Sequence, residues 1–536
     1  MMRRIETRID PHNEQFRANF ERNRQLSTEL KAHQEQARHV RAPRDMERIR
    51  AQGKLFIRER LDALLDPGTP FLELSTLAGN MHYDGEVPSA GQLSGIGIVS
   101  GREVIIHGDD GSVKGGAWYP HSVKKIVRTL DIAIENRLPV IHLCDSAGGF
   151  LPLQADFFAD RYHAGRIFRN QSQLSRMGVP QIAVVLGQCT AGGAYIPALS
   201  DYNIIVRGTG AIFLAGPPLV KAATGEDVSV DELGGCDMHT SISGTADYPA
   251  DSEHHALAIA REVVANIRPP AKALDPVAEV EPPLYPAEEL YGIIPSDSRT
   301  MFDIREVVAR IVDGSRFHEY QPAYGTTLVC GFANIFGYQV GILGNNGVLF
   351  NESSLKGAHF IQLCEKNRTP LIFLQNITGF MVGRDYERRG ISKDGAKLIM
   401  AVSNCSVPKF TVNCNGAFGA GVYGMSGRAF DSRFLFSWPQ AQTSVMGAEQ
   451  AVSVLTQLKV RQLAKTGTAL AEEEIEAIRA PLLDRYNREQ SAYYATSELW
   501  DDGILDPVDT RQALAICLHA ALNAPIEEPR QGVLRL

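Results

Sequence analysis

The chain has 536 residues, 44% of them hydrophobic and 22% charged, with a formal net charge of −8. That length is too great for one core and suits two to four domains. The balance is that of a globular protein, and the acidic net charge gives no reason to expect nucleic acid or an anionic membrane surface as partner.

No apolar run reaches the roughly 18 residues of a membrane span. Glu6, Asp10, Glu14 and Glu21 stand near the start, where a transit peptide is poor in acids and a secretory signal has an apolar stretch. The eight cysteines are scattered with no C-x-x-C pair. This argues against a zinc ribbon and a disulfide framework and fits a reducing cytoplasm, and no His/Cys/carboxylate cluster has metal-ligand spacing, so no metal site is expected.

In chain order, residues 11–52 are rich in Glu, Gln, Arg and Ala and predict one or two polar helices, expected to wrap a neighbouring subunit. Arg58–Leu65 predicts a short helix ended by Asp66-Pro67-Gly68. From Gly95 the texture becomes strand–turn–helix. Val104–Ile106, Val140–Cys144 and Ile182–Leu186 predict buried strands, with helical spacing over Ser122–Asn136. Prolines at 269, 270, 276, 282, 283 and 286 cannot sit inside helices or sheets, so this stretch is a linker. A second α/β unit starts near Leu290. It has predicted strands at Gly337–Leu343, Leu371–Gln375 and Lys409–Asn413, and a late helix over Glu472–Tyr486.

The two units repeat one another. Val104 to Gly111 matches Val340 to Gly347, Asn136 to Ile141 matches Asn367 to Ile372, and Gly149-Phe150 is matched with Gly379-Phe380. Arg58-Glu59 and Asp66 match Arg305-Glu306 and Asp313. The offset falls from 247 (Arg58 to Arg305) to 236 (Gly108 to Gly344), 231 (Pro139 to Pro370) and 228 (Pro180 to Pro408). A slow drift in one direction is what small changes in loop length produce. This period is far too long for a solenoid and indicates a duplicated domain, with units at 1–285 and 286–536.

Each copy ends a strand in a glycine-rich turn: Cys189-Thr190-Ala191-Gly192-Gly193-Ala194-Tyr195, and Asn415-Gly416-Ala417-Phe418-Gly419-Ala420-Gly421-Val422-Tyr423. A strand that turns into a helix this way presents free backbone N–H groups. Aimed at a thioester oxygen they form an oxyanion hole, where one donor is worth roughly 3 kcal/mol. The candidates are Gly192 and Gly193 in the first copy and, by the offset of 228, Ala420 and Gly421 in the second. The bland alternative is that these small residues only allow tight strand–helix packing.

At this point the chain resembles the carboxyltransferase (β) subunits of biotin-dependent acyl-CoA carboxylases, in the 3-methylcrotonyl-CoA and geranyl-CoA branch. The resemblance rests on Val113-Lys114-Gly115-Gly116, Cys189 to Tyr195 and Phe213 to Glu226, then on Gly344 to Gly347, Gln375 to Gly383, Ser444 to Gly447 and Trp500-Asp501-Asp502-Gly503-Ile504. It implies two crotonase-like domains. The first binds acyl-CoA, the second carboxybiotin, and the two meet across a subunit boundary in a ring-shaped hexamer. Gly192 and Gly193 would hold the enolate oxygen, and Ala420 and Gly421 the biotin ureido oxygen. Carboxybiotin releases carbon dioxide, and the biotin anion takes the γ proton of a 3-methyl-2-enoyl thioester. The scheme needs no side-chain base. Lys114 and Lys221 are candidates for the CoA phosphates, with Gly148, Gly149 and Ala164 at the acyl group. Asn345, Asn346, Gly379 and Phe380 are candidates at the biotin site, the asparagines being equally suited to turns. His107, His142 and His163 are expected to be structural.

No Met-Lys-Met biotin attachment site and no glycine-rich nucleotide motif is present. Biotin, ATP and Mg are therefore expected on a partner α subunit, in a holoenzyme of six plus six chains. The methylcrotonyl branch is expected to carry an aromatic residue, usually Phe, at the position of Ala164. Alanine leaves room for about one more isoprene unit, each buried CH₂ contributing roughly 0.8 kcal/mol, and this favours geranyl-CoA. The alternatives are methylcrotonyl-CoA and, more remotely, a biotin-dependent decarboxylase or a non-catalytic acyl-CoA-binding scaffold.

Overall fold

The computed structural model describes residues 2–295, 297, 300–465, 470–530 and 532–535. Two sheets carry the fold. In the first, Arg102–Asp109, Val140–Ser146, Gln181–Thr190, Tyr202–Val206 and Tyr248–Ala250 run parallel, and Gln92–Val99 and Leu72–Glu73 continue the sheet antiparallel. In the second, Tyr338–Asn345, Leu371–Ile377, Lys409–Phe418 and Phe434–Ser437 run parallel, with Leu328–Ile335 and Arg316–Tyr320 antiparallel beyond them. Val140, Ile141, Ile182 and Val184 are fully buried, as parallel strands covered on both faces must be. Helices Pro120–Asn136 and Asn351–Lys366 make the corresponding crossovers in the two units.

The duplication holds at the level of single hydrogen bonds. The Asp66 carboxylate accepts from the N–H groups of Ser100 (2.8 Å) and Gly101 (2.7 Å). Asp313 accepts from Phe336 (3.0 Å) and Gly337 (2.8 Å). Both pairs are hairpin turns with two consecutive positive φ angles, 49° and 72° against 49° and 81°. That is the two-residue turn whose twist suits antiparallel strands. Each sheet also breaks register at one matched place, between Cys144 and Ser146 and between Gln375 and Ile377.

The amino-terminal arm forms the expected helices, Glu14–His39 and Pro43–Ala51, the first capped by Asn13 Oδ1 on the N–H of Gln15 (2.8 Å). Within this chain the arm lies on the second unit. Arg3–Arg4 pairs antiparallel with Arg316–Tyr320. Asn23 Nδ2 donates to the carbonyls of Tyr291 (2.7 Å) and Ile294 (2.8 Å), Lys31 pairs with Asp506 (2.6 Å), and the Phe16 ring fills the space a Cβ would need at Gly292. A helix of 26 residues spans about 39 Å, enough to reach across the unit.

The proline-rich linker contains no helix or strand between Asn266 and Ala287. It is held by Ala273 N–H to Leu522 O (2.7 Å) and Val277 N–H to Gly337 O (2.9 Å). One hydrophobic cluster joins the halves, running from Ile126 and Leu130 through Leu514 and Leu518 to Val307 and Val340. Beside it Asp502, fully buried, takes Arg128 of the first unit (2.8 and 3.0 Å) and Arg428 of the second (2.9 Å). No helix among the described residues is long and apolar enough to cross a membrane.

Candidate functional site

The strands Gln181–Thr190 and Lys409–Phe418 end in turns of one geometry. Ala191 has φ 53° and Gly419 φ 62°, a left-handed residue at the same offset of 228. Helical turns Tyr195–Ala198 and Gly421–Gly424 follow. Among the described residues the N–H groups of Gly192, Gly193, Ala420 and Gly421 donate to no protein acceptor. Unsatisfied donors at a helix start attract negative charge, and each turn presents the pair of donors that an oxyanion hole needs. Both turns sit tight against the neighbouring strand. A Cβ at Gly193 would stand 3.1 Å from Ser146 Cβ, and one at Gly421 2.6 Å from Ile377 Cγ1.

Gly148 (φ 83°) and Gly379 (φ 117°) lie beside these turns, facing Thr190 O and Phe418 O respectively. Trp118 pairs with Gly149, and Leu349 with Phe380. The N–H of Phe150 donates to Trp118 O, and that of Met381 to Leu349 O. The equivalence is therefore Gly148 with Gly379 and Gly149 with Phe380. This corrects by one residue the sequence pairing of Gly149-Phe150 with Gly379-Phe380. Identical Gly-Phe dipeptides suggested the wrong register, and the backbone pairing decides it.

Ala164 opens the helix Ala164–Arg176, and its N–H donates to Phe157 O (2.8 Å). The Phe157 ring lies under Gly149, within 2.7 Å of where a Cβ would be. Phe168, one helical turn after Ala164 and on the same face, comes within 3.9 Å of a Cβ built on Gly192. The helix face that starts at Ala164 thus leads to the first turn. Lys114 is paired with Glu86, and Lys221 with Asp227 (2.8 Å). Both pairs are exposed, and exposed pairs are worth only about 0–1 kcal/mol, so neither lysine is lost to a phosphate.

The biotin-site candidates separate. Asn346 Oδ1 accepts from the N–H of Ile304 (2.7 Å), and its Nδ2 donates to Asp303 (3.0 Å). It fastens the start of the helix Ile304–Ile311 and is not free for a ligand. Phe380 packs over Gly395 and Gly424, whose missing side chains make room for its ring. Asn345 is fully buried, and its Oδ1 accepts from the N–H of Asn376 (3.3 Å). Asn415 Nδ2 donates to Asn376 Oδ1 (3.2 Å), and Nδ2 of both Asn345 and Asn376 is buried without a partner. The first copy has Asp109 and Asp145 at the places of Asn345 and Asn376, with the same bond from Asp145 N–H to Asp109 (3.4 Å). Burial pushes Asp109 up to about 6, against the opposing hydrogen bond from Trp118 Nε1 (2.9 Å). Asp145 pairs with Lys54 (2.9 Å) and Arg60 (3.2 Å), and its carboxylate fills the space a side chain would need at Gly187.

His107 and His142 are buried, and burial lowers both, His142 to about 4. His163 Nδ1 accepts from the N–H of Asp160 (3.1 Å).

Two cavities adjoin the turns. One of about 450 Å³ opens at the carboxyl ends of the first sheet's strands between Ala147 and Thr190, with Arg48, Gln52 and Lys54 on its wall. One of about 660 Å³ opens on Gly419 and Ala420, walled by Tyr423, Val445, Arg485, Tyr486 and Trp500. The grouping of Arg48, Gln52 and Lys54 with the first turn, and of Arg485 and Tyr486 with the second, was not legible in the sequence, because these residues lie far from the turns along the chain. Around each turn apolar side chains are exposed at matched positions: Leu151 and Val382, Leu214 and Val445, Tyr195 (43%) and Tyr423 (47%).

A carboxyl transferase domain model matches residues 48–533. The chain is 50% identical over 549 residues to a probable methylcrotonoyl-CoA carboxylase beta chain of Drosophila melanogaster, covering 99% of this chain and 95% of the relative. It is 53% identical over 486 residues to the biotin-dependent 3-methylcrotonyl-coenzyme A carboxylase beta1 subunit of Mycobacterium tuberculosis, covering 91% and 92%. The crystal structure of the geranyl-CoA carboxylase beta subunit of P. aeruginosa superposes with a TM-score of 0.86 at 39% identity, covering 99% of each chain.

Proposed function

We infer that this chain, which belongs to the carboxyl transferase domain family, is the carboxyltransferase (β) component of a biotin-dependent acyl-CoA carboxylase of the methylcrotonyl-CoA and geranyl-CoA branch. The observation that carries the reading is the duplicated turn with unsatisfied N–H groups. Transfer of a carboxyl group from carboxybiotin to an acyl-CoA develops negative charge at two oxygens, and two cradles of one geometry answer that need.

In this reading the unit at 1–285 takes the acyl thioester and the unit at 286–536 the biotin. The N–H groups of Gly192 and Gly193 stabilise the thioester oxygen as the γ proton leaves, and those of Ala420 and Gly421 stabilise the ureido oxygen. Biotin, when bound, supplies the carboxyl group and accepts the proton. A partner α subunit carries it, together with the ATP- and Mg-dependent step that charges it. The cavity edged by Arg48 and Lys54 suits the anionic end of CoA, with Lys114 and Lys221 as further cations. The matched exposed trios, Leu151, Tyr195 and Leu214 against Val382, Tyr423 and Val445, are the faces through which two copies set a first turn opposite a second. We propose a β hexamer on that contact, within a six-plus-six holoenzyme.

For the substrate we favour geranyl-CoA, because Ala164 stands where an aromatic ring would close the acyl pocket and its helix face leads to Gly192. A second reading, 3-methylcrotonyl-CoA, is favoured by the 50–53% identity to methylcrotonyl enzymes against 39% to the geranyl enzyme. ATP-dependent bicarbonate fixation by the chain reconstituted with its α subunit, with both thioesters compared at equal concentration, decides between them. Fixation with neither thioester removes the branch assignment.

A further inference from the structure

Sequence spacing predicts no metal site, yet the fold brings together two imidazoles and a carboxylate that lie 39 and 377 positions apart in the chain. His82 precedes the turn Tyr83–Gly85, His121 lies in the first turn of the helix Pro120–Asn136, and Glu498 follows the helix Ala492–Ser497. His82 Nε2 is 2.6 Å from Glu498 Oε1, and His121 Nε2 is 3.6 Å from Glu498 Oε2. One ligand atom from each of the three falls within 4.8 Å of the others. The two rings stack at 4.3 Å, which turns both Nε2 atoms toward the same carboxylate.

We propose that His82, His121 and Glu498 form a binding site for a divalent transition-metal ion, taken most readily as Zn²⁺. Two imidazoles and one carboxylate are a borderline-soft donor set that suits Zn²⁺ and its neighbours and leaves one coordination position open. Bond lengths of about 2.0–2.2 Å to each donor place tetrahedral ligand atoms roughly 3.3 Å apart, and the three donors here already lie within 4.8 Å of one another. The outer groups are in place as well. Tyr83 Oη is 2.6 Å from His121 Nδ1. With the Nδ1 proton donated to Tyr83, Nε2 is left with its lone pair facing the carboxylate, which is the second-sphere contact that fixes a histidine ligand's tautomer. The backbone is fixed before any ion arrives: Gly79 N–H donates to Ser497 O (2.9 Å), and Met81 N–H to Ser497 Oγ (2.9 Å). Lys124 bonds the backbone carbonyl of Glu498. All three side chains are partly exposed (33%, 13% and 20%), so an ion enters from solvent.

The site joins the first unit to the corner that carries Trp500 into the cavity beside the second turn. Bound metal therefore stiffens that wall without touching either cradle.

The test uses the full-length chain, stripped with chelator, dialysed against Zn²⁺ and desalted. Metal is counted by mass spectrometry and affinity is measured by calorimetry. One zinc per chain is expected, with no uptake of Mg²⁺, a hard ion that prefers oxygen ligands. The zinc should fall to background in the His82→Ala/His121→Ala protein and in the near-isosteric Glu498→Gln protein. Tyr83→Phe should bind about 10–100-fold more weakly, as loss of a second-sphere partner does. Native protein that retains no more zinc than Glu498→Gln overturns the assignment, as does a Tyr83→Phe protein of native affinity.

Discussion

Replacing Gly421 by alanine separates packing from catalysis at the second turn. A Cβ there would stand 2.6 Å from Ile377 Cγ1, 3.0 Å from Ile377 Cδ1 and 3.3 Å from Gly379 Cα. Ile377 is fully buried at the end of the strand Leu371–Ile377. It is β-branched and stiff at χ1, and the close-packed core around it has no room to receive a displaced side chain. The turn must move instead, carrying its N–H groups off the oxyanion. Overpacking of this kind costs about 1–3 kcal/mol of stability. Displacing one oxyanion donor costs about 2.7–4 kcal/mol of transition-state stabilisation, a 10²–10³-fold fall in kcat. The same change at Gly193 meets Ser146 only at 3.1–3.2 Å, so its loss should be smaller. The assay is bicarbonate fixation by the reconstituted holoenzyme, run beside the partner's own ATP-dependent carboxylation of biotin. The second activity should be unchanged. Thermal unfolding and size measurements confirm that the variant assembles. A correctly assembled Gly421→Ala protein with the parent's kcat would refute the second cradle.

Ala164→Phe should lower kcat/KM for geranyl-CoA while keeping or improving that for 3-methylcrotonyl-CoA, since overpacking the distal pocket costs about 1–3 kcal/mol; an unchanged ratio of the two removes Ala164 from the pocket. Burial alone would raise Asp502, but Arg128 and Arg428 outweigh it and hold the carboxyl at about 2. Asp502→Asn strands two guanidinium groups between the units and should cost about 3–5 kcal/mol near neutral pH. Because the folded pKa is depressed, that stability is present above about pH 4 and is lost as pH falls through 2, so unfolding curves of variant and parent should converge in acid. Asp109 is shifted the other way, up to about 6 by burial, so its contribution is full below about pH 4 and lost as pH rises through 6. Asp109→Asn, which copies Asn345 of the other unit, should gain on the parent across that window by up to about 3 kcal/mol. A stability difference independent of pH from 4 to 7 would show that Asp109 does not titrate there.

The sequence by itself determined the α/β duplication, the principal strands and crossover helices, and the place of both glycine turns. These signals are local. A parallel strand buried on both faces needs an unbroken apolar run such as Val140–Cys144, and a left-handed turn against a neighbouring strand needs residues as small as Ala191-Gly192-Gly193. The drift of the offset from 247 to 228 also located the repeat, because loops change length where strands do not. Tertiary structure decided what each polar residue does. Asn346 looked like a ligand and serves as a helix fastener, since its partner Asp303 lies 43 positions away. Phe380 looked like a cofactor contact and fills the gap over Gly395 and Gly424. The Trp500 to Ile504 motif looked like a family signature, and the fold shows Asp502 binding one arginine from each unit. The contacts of the helical arm with Tyr291 and Asp506 were likewise set by the fold. His82, His121 and Glu498 carried no signal at all, because no local period brings residues 377 positions apart within 4 Å of one another. Backbone preference and hydrophobic period act over a few residues and are written in order along the chain, whereas the partner of a charge or an amide is set by where the whole chain path brings it.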